Sequence, residues 1–270
     1  MPEAADVMAL IEDVYREYGY DFRRYAYASL RRRVLNAVRA QNAGDVRGLR
    51  AQVLADAAAM ESFVLGLSVH VTAMFRDPGF YVAFRTRVVP LLATYPHARI
   101  WVAGCSTGEE LYSVAIVLEE VGLYDRCRLY ATDLSAEAVR RASEGMFPLP
   151  AMKEYTANYL RAGGTRSFSD YYAADGGVAA FRASLRRNAV FAQHSLVTDG
   201  APNEFHVILC RNVLIYFDAA LQAHACQLFS DNLVRLGVLC LGRKESLLST
   251  PVESLYEAID AQNKIFRKVR

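Results

Sequence analysis

Paired cysteines are missing from this sequence. Its five cysteines, Cys105, Cys127, Cys210, Cys226 and Cys240, lie far apart and no two form a Cys-x-x-Cys arrangement. Zinc and dithiol motifs therefore have no support, and no metal site is expected. The odd count, and an acidic Met-Pro-Glu-Ala-Ala-Asp start in place of a basic and then apolar leader, fit reduced thiols and a cytoplasmic location. Long apolar runs are also absent: nothing approaches the roughly 18 uninterrupted residues of a membrane span, so no membrane insertion is expected. Charge of one sign is scarce, with 31 Lys+Arg against 29 Asp+Glu, which gives no global reason to bind nucleic acid. The Gly-x-Gly-x-x-Gly fingerprint is missing, which removes the best sign of a nicotinamide cofactor. What remains is an ordinary globular composition, 53% hydrophobic and 22% charged over 270 residues. At about 100–200 residues per domain this is one large or two modest domains with a self-sufficient core.

The first third reads as helix. Phe22, Ala26, Leu30, Val34 and Ala37 recur at helical spacing and predict one apolar face. At about 100° per residue, Arg24, Arg31, Arg32 and Arg39 share the flank of that face. Arg33 falls inside the apolar arc. Between Val14 and Arg50 nine arginines face only Glu17, Asp21 and Asp45, a local excess of six positive charges. Asn42-Ala-Gly44-Asp45 predicts a helix stop and a new N-cap, and a further helix is expected over about 58–67. From Ala98 short apolar runs alternate with helical stretches: 99–105, 128–133, 189–193, 205–210, 238–241 and 264–269, with helices from about Glu110 and from Ser135. That alternation predicts a parallel sheet with crossovers. The last two runs are separated only by a possible helix at 252–261. Gly163-Gly164, Gly176-Gly177 and the aromatics Phe168, Tyr171 and Tyr172 predict a small β-rich insertion at about 151–187.

Four stretches could carry chemistry. Gly104-Cys-Ser-Thr-Gly108-Glu109-Glu110 follows the first predicted strand. Glycines there let the backbone approach a ligand, and two carboxylates suit an amine or hydroxyls better than a pyrophosphate. Asp133 ends the second strand, where an acid often accepts bonds from ribose hydroxyls. Helix capping is its plainer role, although Ser135 would cap equally well. Arg211 and Asn212 directly follow the strand 205–209, at the ligand-facing end of such a sheet. Tyr216 could be a core aromatic or a site residue. Arg76 beside Phe75 could clamp a carboxylate or simply pair with Asp77.

Taken together these residues resemble the chemotaxis receptor methyltransferases (CheR-type), which are S-adenosylmethionine-dependent protein-glutamate O-methyltransferases. The carriers are Val71-Thr-Ala-Met-Phe-Arg-Asp-Pro78, Ile100-Trp-Val-Ala-Gly-Cys-Ser-Thr-Gly-Glu-Glu-Leu-Tyr-Ser113, Ala131-Thr-Asp133 and Cys210-Arg-Asn-Val-Leu-Ile-Tyr-Phe217, with Tyr18–Phe22 and Leu30–Arg33 at the start. The resemblance implies an α/β protein: a helical N-terminal domain over 1–75, then a Rossmann-like methyltransferase domain over 76–270. It implies S-adenosyl-L-methionine as cofactor, held by Thr72, Arg76, Glu110, Asp133, Ser195, Leu196, Arg211 and Asn212, and by His70 where the family usually has asparagine. Glu110 would take the amine end and Asp133 the ribose. Tyr216 would stand by the reacting methyl. Departures are Ser195 for asparagine, Met74 for phenylalanine, Leu111 for proline, Leu236 for the first of two glycines, and Arg243 for a histidine before Glu245.

A glutamate with a pKa near about 4.3 is already the nucleophilic anion at pH 7, so such a reaction needs no general base. Positioning and desolvation remain, and Arg76 is expected to orient a carboxylate, either the substrate's or the cofactor's own. The implied partner is the cytoplasmic signalling domain of a chemoreceptor, docked by Arg24, Arg31, Arg32 and Arg39, with the chain acting as a monomer. A methyltransferase-like adaptor with weak catalysis is the alternative, motivated by His70, Ser195 and Leu236. Base methylation of nucleic acid lacks its Pro-Pro-aromatic motif here.

Overall fold

Amphipathic helices build the first of three cores. The computed structural model describes residues 2–67 and 72–270. Helices α1 (Pro2–Tyr18), α2 (Tyr27–Ala40), α3 (Val46–Ala55) and α4 (Ala57–Leu67) come first. They enclose Val7, Leu10, Leu30, Val34, Leu49 and Phe63, among others. In α2 the buried positions Leu30, Arg33, Val34, Ala37 and Val38 follow the helical period. The expected stop and restart is present: Asn42 has a positive φ, and the Asp45 carboxylate caps α3 by accepting from the Gly48 N–H at 2.8 Å. The start of α2 differs from expectation. Gly19 at φ +77°, and an Asp21 carboxylate that accepts from the Arg23 N–H, hold 19–26 in turns. Phe22 is buried from that turn, and Arg24 stands in it too, off the helix that carries Arg31, Arg32 and Arg39.

A second unit follows: α5 (Pro78–Ala83), a π-helical turn (Phe84–Val88), α6 (Val89–Leu92), β1 (Ala98–Ala103), α7 (Glu109–Glu120), β2 (Cys127–Asp133) and α8 (Ala136–Glu144). Then come β3 (Met146–Pro148), α9 (Met152–Arg161), β4 (Tyr172–Asp175), β5 (Val178–Phe181), β6 (Ala189–Gln193), β7 (Phe205–Cys210), α10 (Ala219–Asp231), β8 (Leu233–Leu241), β9 (Tyr256–Asp260) and β10 (Ile265–Lys268). The main sheet has the order β6-β2-β1-β7-β8-β10-β9. Its first five strands are parallel and apolar along most of their length, because both faces are covered. One face packs the large core around Ile100, Val102 and Leu129; the other packs Trp101, Phe205 and Phe229. From β1 the chain moves outward to β2 and β6, then returns to the other side through β7. The crevice outside the carboxyl ends of β1 and β7 is therefore the topological switch point.

Two expectations need correction. The possible helix at 252–261 is only a 3-10 turn, Glu253–Leu255, followed by strand β9, antiparallel to β10, which itself runs antiparallel to β8. The Asp260 carboxylate closes the hairpin by accepting from the Asn263 N–H at 2.9 Å. The insertion is a three-stranded antiparallel sheet, β3-β5-β4, but its second part is helix α9. Met152, Tyr155 and Tyr159 are the helical stripe there. Tyr159 and Tyr171 donate to Glu120 at the end of α7, which also pairs with Arg85, so the insertion is tied to the main unit by a buried polar knot. No described helix is long and apolar enough to cross a membrane.

Leu236 sits at φ +67° where the β7–β8 register shifts. A leucine in the left-handed region is strained by about 1–2 kcal/mol, and half-exposed Leu236 gains little burial in return. Leu236→Gly is expected to raise stability by about 0.5–1 kcal/mol after the entropic cost of glycine. Thermal and urea unfolding check this; an unchanged or lower midpoint would mean that the leucine side chain outweighs its backbone strain.

Candidate active site

The floor of the crevice is the turn between β1 and α7. Gly104 N–H and Cys105 N–H both donate to the Thr132 carbonyl, at 2.8 and 2.9 Å, folding the turn onto β2. Positive φ occurs at Gly104, Ser106 and Gly108. A Cβ at Gly104 would meet a Val213 methyl at 2.5 Å, and one at Gly108 the Ala142 Cβ at 3.0 Å. The glycines thus serve close packing of a loop and a helix, rather than only the approach of a ligand. The two acids after them part company. Glu109 turns inward, accepting from Thr107 Oγ1 at 2.7 Å and from the Tyr155 hydroxyl at 3.3 Å, and burial pushes its carboxyl above the usual range. Glu110 alone lines the crevice.

Asp133 ties two loops together, while the capping considered for it falls to Ser135. The Asp133 Oδ2 accepts from Ser106 N–H at 2.9 Å and its Oδ1 from Ser135 N–H at 3.0 Å, while the Ser135 hydroxyl caps α8. Asp133 also lines the crevice.

Arg211 sits deeper than the sequence suggested. Its side chain is 3% exposed, its Nη1 donates to Glu110 Oε1 at 2.6 Å, and its Nη2 to Asp77 Oδ2 at 3.0 Å. Its guanidinium also stacks on Phe80 at 3.9 Å. Arg211 therefore braces Glu110, and lines the crevice beside it. Asp77, considered above as a partner for Arg76, gives its Oδ2 to Arg211 instead. The loop after Arg211 hangs from one carboxylate: Glu245 accepts from the N–H groups of Asn212 (3.0 Å), Val213 (2.8 Å), Ile215 (3.4 Å) and Gly242. This support allows Asn212 its φ of +64° at the crevice wall.

The opposite wall comes from the helical unit and the connection after it. Tyr25, Arg33 and Leu67 line the crevice together with Thr72, Ala73 and Arg76. Arg33, the anomaly in the apolar arc of α2, is buried. Its Nη1 donates to the Leu67 carbonyl, and its guanidinium lies 3.9 Å from the ring centre of Tyr216. Tyr216 is half-buried at the crevice rather than sealed in the core. Ser195 and Leu196 also line the crevice. The Ser195 Oγ already accepts from the N–H groups of Val197 and Thr198, leaving its hydroxyl proton to donate. His70 lies outside the described residues.

Sequence reasoning missed Tyr25, His194 and Glu245, and noted Arg33 only as an exception. His194 is buried beside Trp101 and lines the crevice, with Nε2 on the Gly200 carbonyl at 2.8 Å. The available signal was a charge at an apolar helix position for Arg33. For Tyr25 and Glu245 there was none, because their partners are distant in sequence.

The crevice is open at its mouth and lined from both the sheet unit and the helical unit. Its lining suits S-adenosylmethionine in kind: the carboxylates of Glu110 and Asp133 line the crevice, and Arg211 is paired with Glu110 and Asp77 rather than reserved for a phosphate. Of the four arginines expected to dock a partner, Arg31 pairs with Glu3 at 2.7 Å and Arg24 with Asp218 at 3.4 Å. Arg47 and Arg50 pair with Asp6 and Asp13, so much of the local excess is neutralised by acids of α1. Arg32 and Arg39 are exposed and make no ion pair among the described residues.

Comparison with known proteins agrees with this arrangement. Residues 5–68 match the model of the CheR methyltransferase all-alpha domain, and residues 70–264 that of the CheR methyltransferase SAM binding domain. The chain is 44% identical over 263 residues to "Putative methyltransferase Cher3" of Pseudomonas putida, covering 97% of this chain and 96% of that one. It is 31% identical to a chemotaxis protein methyltransferase of Listeria innocua, covering 90% and 91%. Among solved structures it is similar to the N-methyltransferase NodS of Bradyrhizobium japonicum bound to S-adenosyl-L-homocysteine, at 17% identity, TM-score 0.33, and 60% and 61% coverage. With both domains matched in order, and the carboxylates, the crevice and the switch point in place, this chain belongs to the CheR family of S-adenosylmethionine-binding methyltransferases.

Proposed function

We propose that this protein methylates glutamate side chains on the cytoplasmic signalling domain of a chemoreceptor, forming methyl esters in chemotactic adaptation. One observation carries the reading: a single crevice has two carboxylates, Glu110 and Asp133, with Tyr216 on its sheet side, and two arginines, Arg33 and Arg76, on its other wall. The relatives named chemotaxis protein methyltransferase support it. S-adenosylmethionine supplies, when bound, an electrophilic methyl on a sulfonium. Glu110 would hold its amine and Asp133 its ribose, with Thr72, Ser195, Leu196 and Asn212 completing the walls. Arg211 holds Glu110 in place through its Nη1. The incoming glutamate is already an anion at neutral pH, so the chain has only to orient it and exclude water. Arg76 and Arg33 can each form charge-assisted bonds to a carboxylate, and the half-buried Tyr216 closes the polar end of the crevice.

The proposed docking face is the exposed side of α2, through Arg32 and Arg39, with Arg31 and Arg24 at its edges. The adaptor alternative is weakened on one point: Leu236 lies in the β7–β8 bulge, away from the crevice. The test is transfer of labelled methyl from S-adenosylmethionine to a membrane fraction of the source cell, with the ester checked for release by alkali. Reversing Arg32 and Arg39 to glutamate is expected to slow transfer to intact receptor by roughly tenfold at low salt and to flatten the salt dependence, leaving cofactor affinity intact. Cofactor binding without any alkali-labile label would favour the adaptor.

A further inference from the structure

Two segments far apart in sequence meet at the edge of the crevice. Residues 24–26 lead into α2, and residues 216–218 lead into α10. Tyr25 and Phe217 form an antiparallel bridge that belongs to neither sheet. The Ala26 N–H donates to the Tyr216 carbonyl at 2.9 Å, and the Asp218 N–H donates to the Arg24 carbonyl at 2.9 Å. Side chains reinforce the joint: the Tyr25 and Phe217 rings lie 5.1 Å apart, and Arg24 reaches Asp218. The Asp218 Oδ1 meanwhile caps α10 through the Leu221 N–H at 2.8 Å.

This joint touches Tyr216 itself. The helical unit grips that residue twice, at its carbonyl through Ala26 and at its ring through Arg33. On the other side Glu245 holds the amides of Asn212, Val213 and Ile215 but not that of Tyr216. A domain that served only to dock a partner could pack against the sheet unit anywhere. It has no need to pair with the backbone of a crevice tyrosine.

We propose that the backbone pairing of Arg24–Ala26 with Tyr216–Asp218 is a positioning latch, by which the helical domain sets Tyr216 over the crevice. Arg24 and Ala26 are positioning residues that act through Tyr216 and Asp218. The latch rests on the function proposed above, since that reading sets Tyr216 at the polar end of the crevice where the carboxylate arrives.

Proline separates the latch from the helix it precedes. Ala26 has φ −56° and ψ 114°, angles that proline adopts. Ala26→Pro therefore keeps the backbone and the Ala26 carbonyl that starts α2, but deletes the N–H and forces the Tyr216 carbonyl away. Tyr27→Pro is the control, because Tyr27 is exposed at the first helical position, where proline is tolerated. In Ala26→Pro, amide exchange of the 216–218 segment is expected to quicken at least about tenfold and kcat for methyl transfer to fall at least about tenfold, as small misplacements do. KM for the protein substrate and calorimetric affinity for S-adenosylhomocysteine should stay within about threefold, and Tyr27→Pro should match the wild type throughout. Wild-type exchange and kcat in Ala26→Pro would overturn the latch, as would equal losses in Tyr27→Pro or a loss confined to cofactor affinity. If the wild-type chain transfers no methyl to protein, the functional reading falls, and the exchange comparison still decides the latch.

Discussion

Replacing Glu245 with alanine is expected to cost about 4 kcal/mol or more and to abolish cofactor binding. The carboxylate is buried and accepts from four backbone N–H groups, those of Asn212, Val213, Ile215 and Gly242. Each donor left unpaired in the interior costs about 1–3 kcal/mol, although the costs overlap once the loop relaxes. Asn212 would lose the support for its left-handed backbone, and Arg211 would lose the fixed strand end from which it braces Glu110. Glu245→Gln should cost about half as much, since one oxygen still accepts while the amide NH₂ opposes the remaining donors. Urea unfolding and calorimetry with S-adenosylhomocysteine measure both effects. An alanine variant within about 1 kcal/mol of wild type, with cofactor affinity retained, would remove Glu245 from its supporting role.

The parallel strands were legible because strands buried on both faces read as continuous apolar runs, and Asp45 and Ser135 were legible as caps because a cap is local. Strand β9 was not. Its five residues, Tyr256–Asp260, are only half-covered by β10, so no apolar run marks them, and the hairpin is closed by an Asp260–Asn263 contact. The carboxylates Glu110 and Asp133 could be placed on the crevice by their positions after strands. The roles of Glu109 and Arg211 could not, because they depend on which neighbours satisfy them: Tyr155 and Thr107 for one, Glu110 and Asp77 for the other. The local charge excess was overcounted for the same reason. The acids that neutralise Arg31, Arg47 and Arg50 lie on α1, before the stretch in which charge was counted.

Arg33 is where that blindness mattered most, and its replacement by methionine should separate activity from stability. Arg33 is 5% exposed, with its Nε and Nη2 buried and unbonded among the described residues. Its Nη1 meets the Leu67 carbonyl at the free end of α4, where a cation is favoured. Burial holds its pKa below the usual arginine value, yet a guanidinium stays charged at neutral pH. A buried cation with two idle donors costs folding energy, and an apolar residue of similar length often costs less. Arg33→Met should therefore leave stability unchanged or raise it by about 1 kcal/mol. The same charge, next to Tyr216 and facing the crevice, can receive an incoming carboxylate, a bond worth about 1.5–3 kcal/mol, or roughly 10- to 100-fold in rate. Methyl transfer at saturating cofactor should fall by that factor in Arg33→Met. Arg33→Lys should recover little, because one ammonium cannot bond Leu67, cover the tyrosine ring and meet a carboxylate together. Initial rates beside thermal melts decide the matter: a methionine variant that loses stability yet transfers methyl at the wild-type rate would make Arg33 a structural residue.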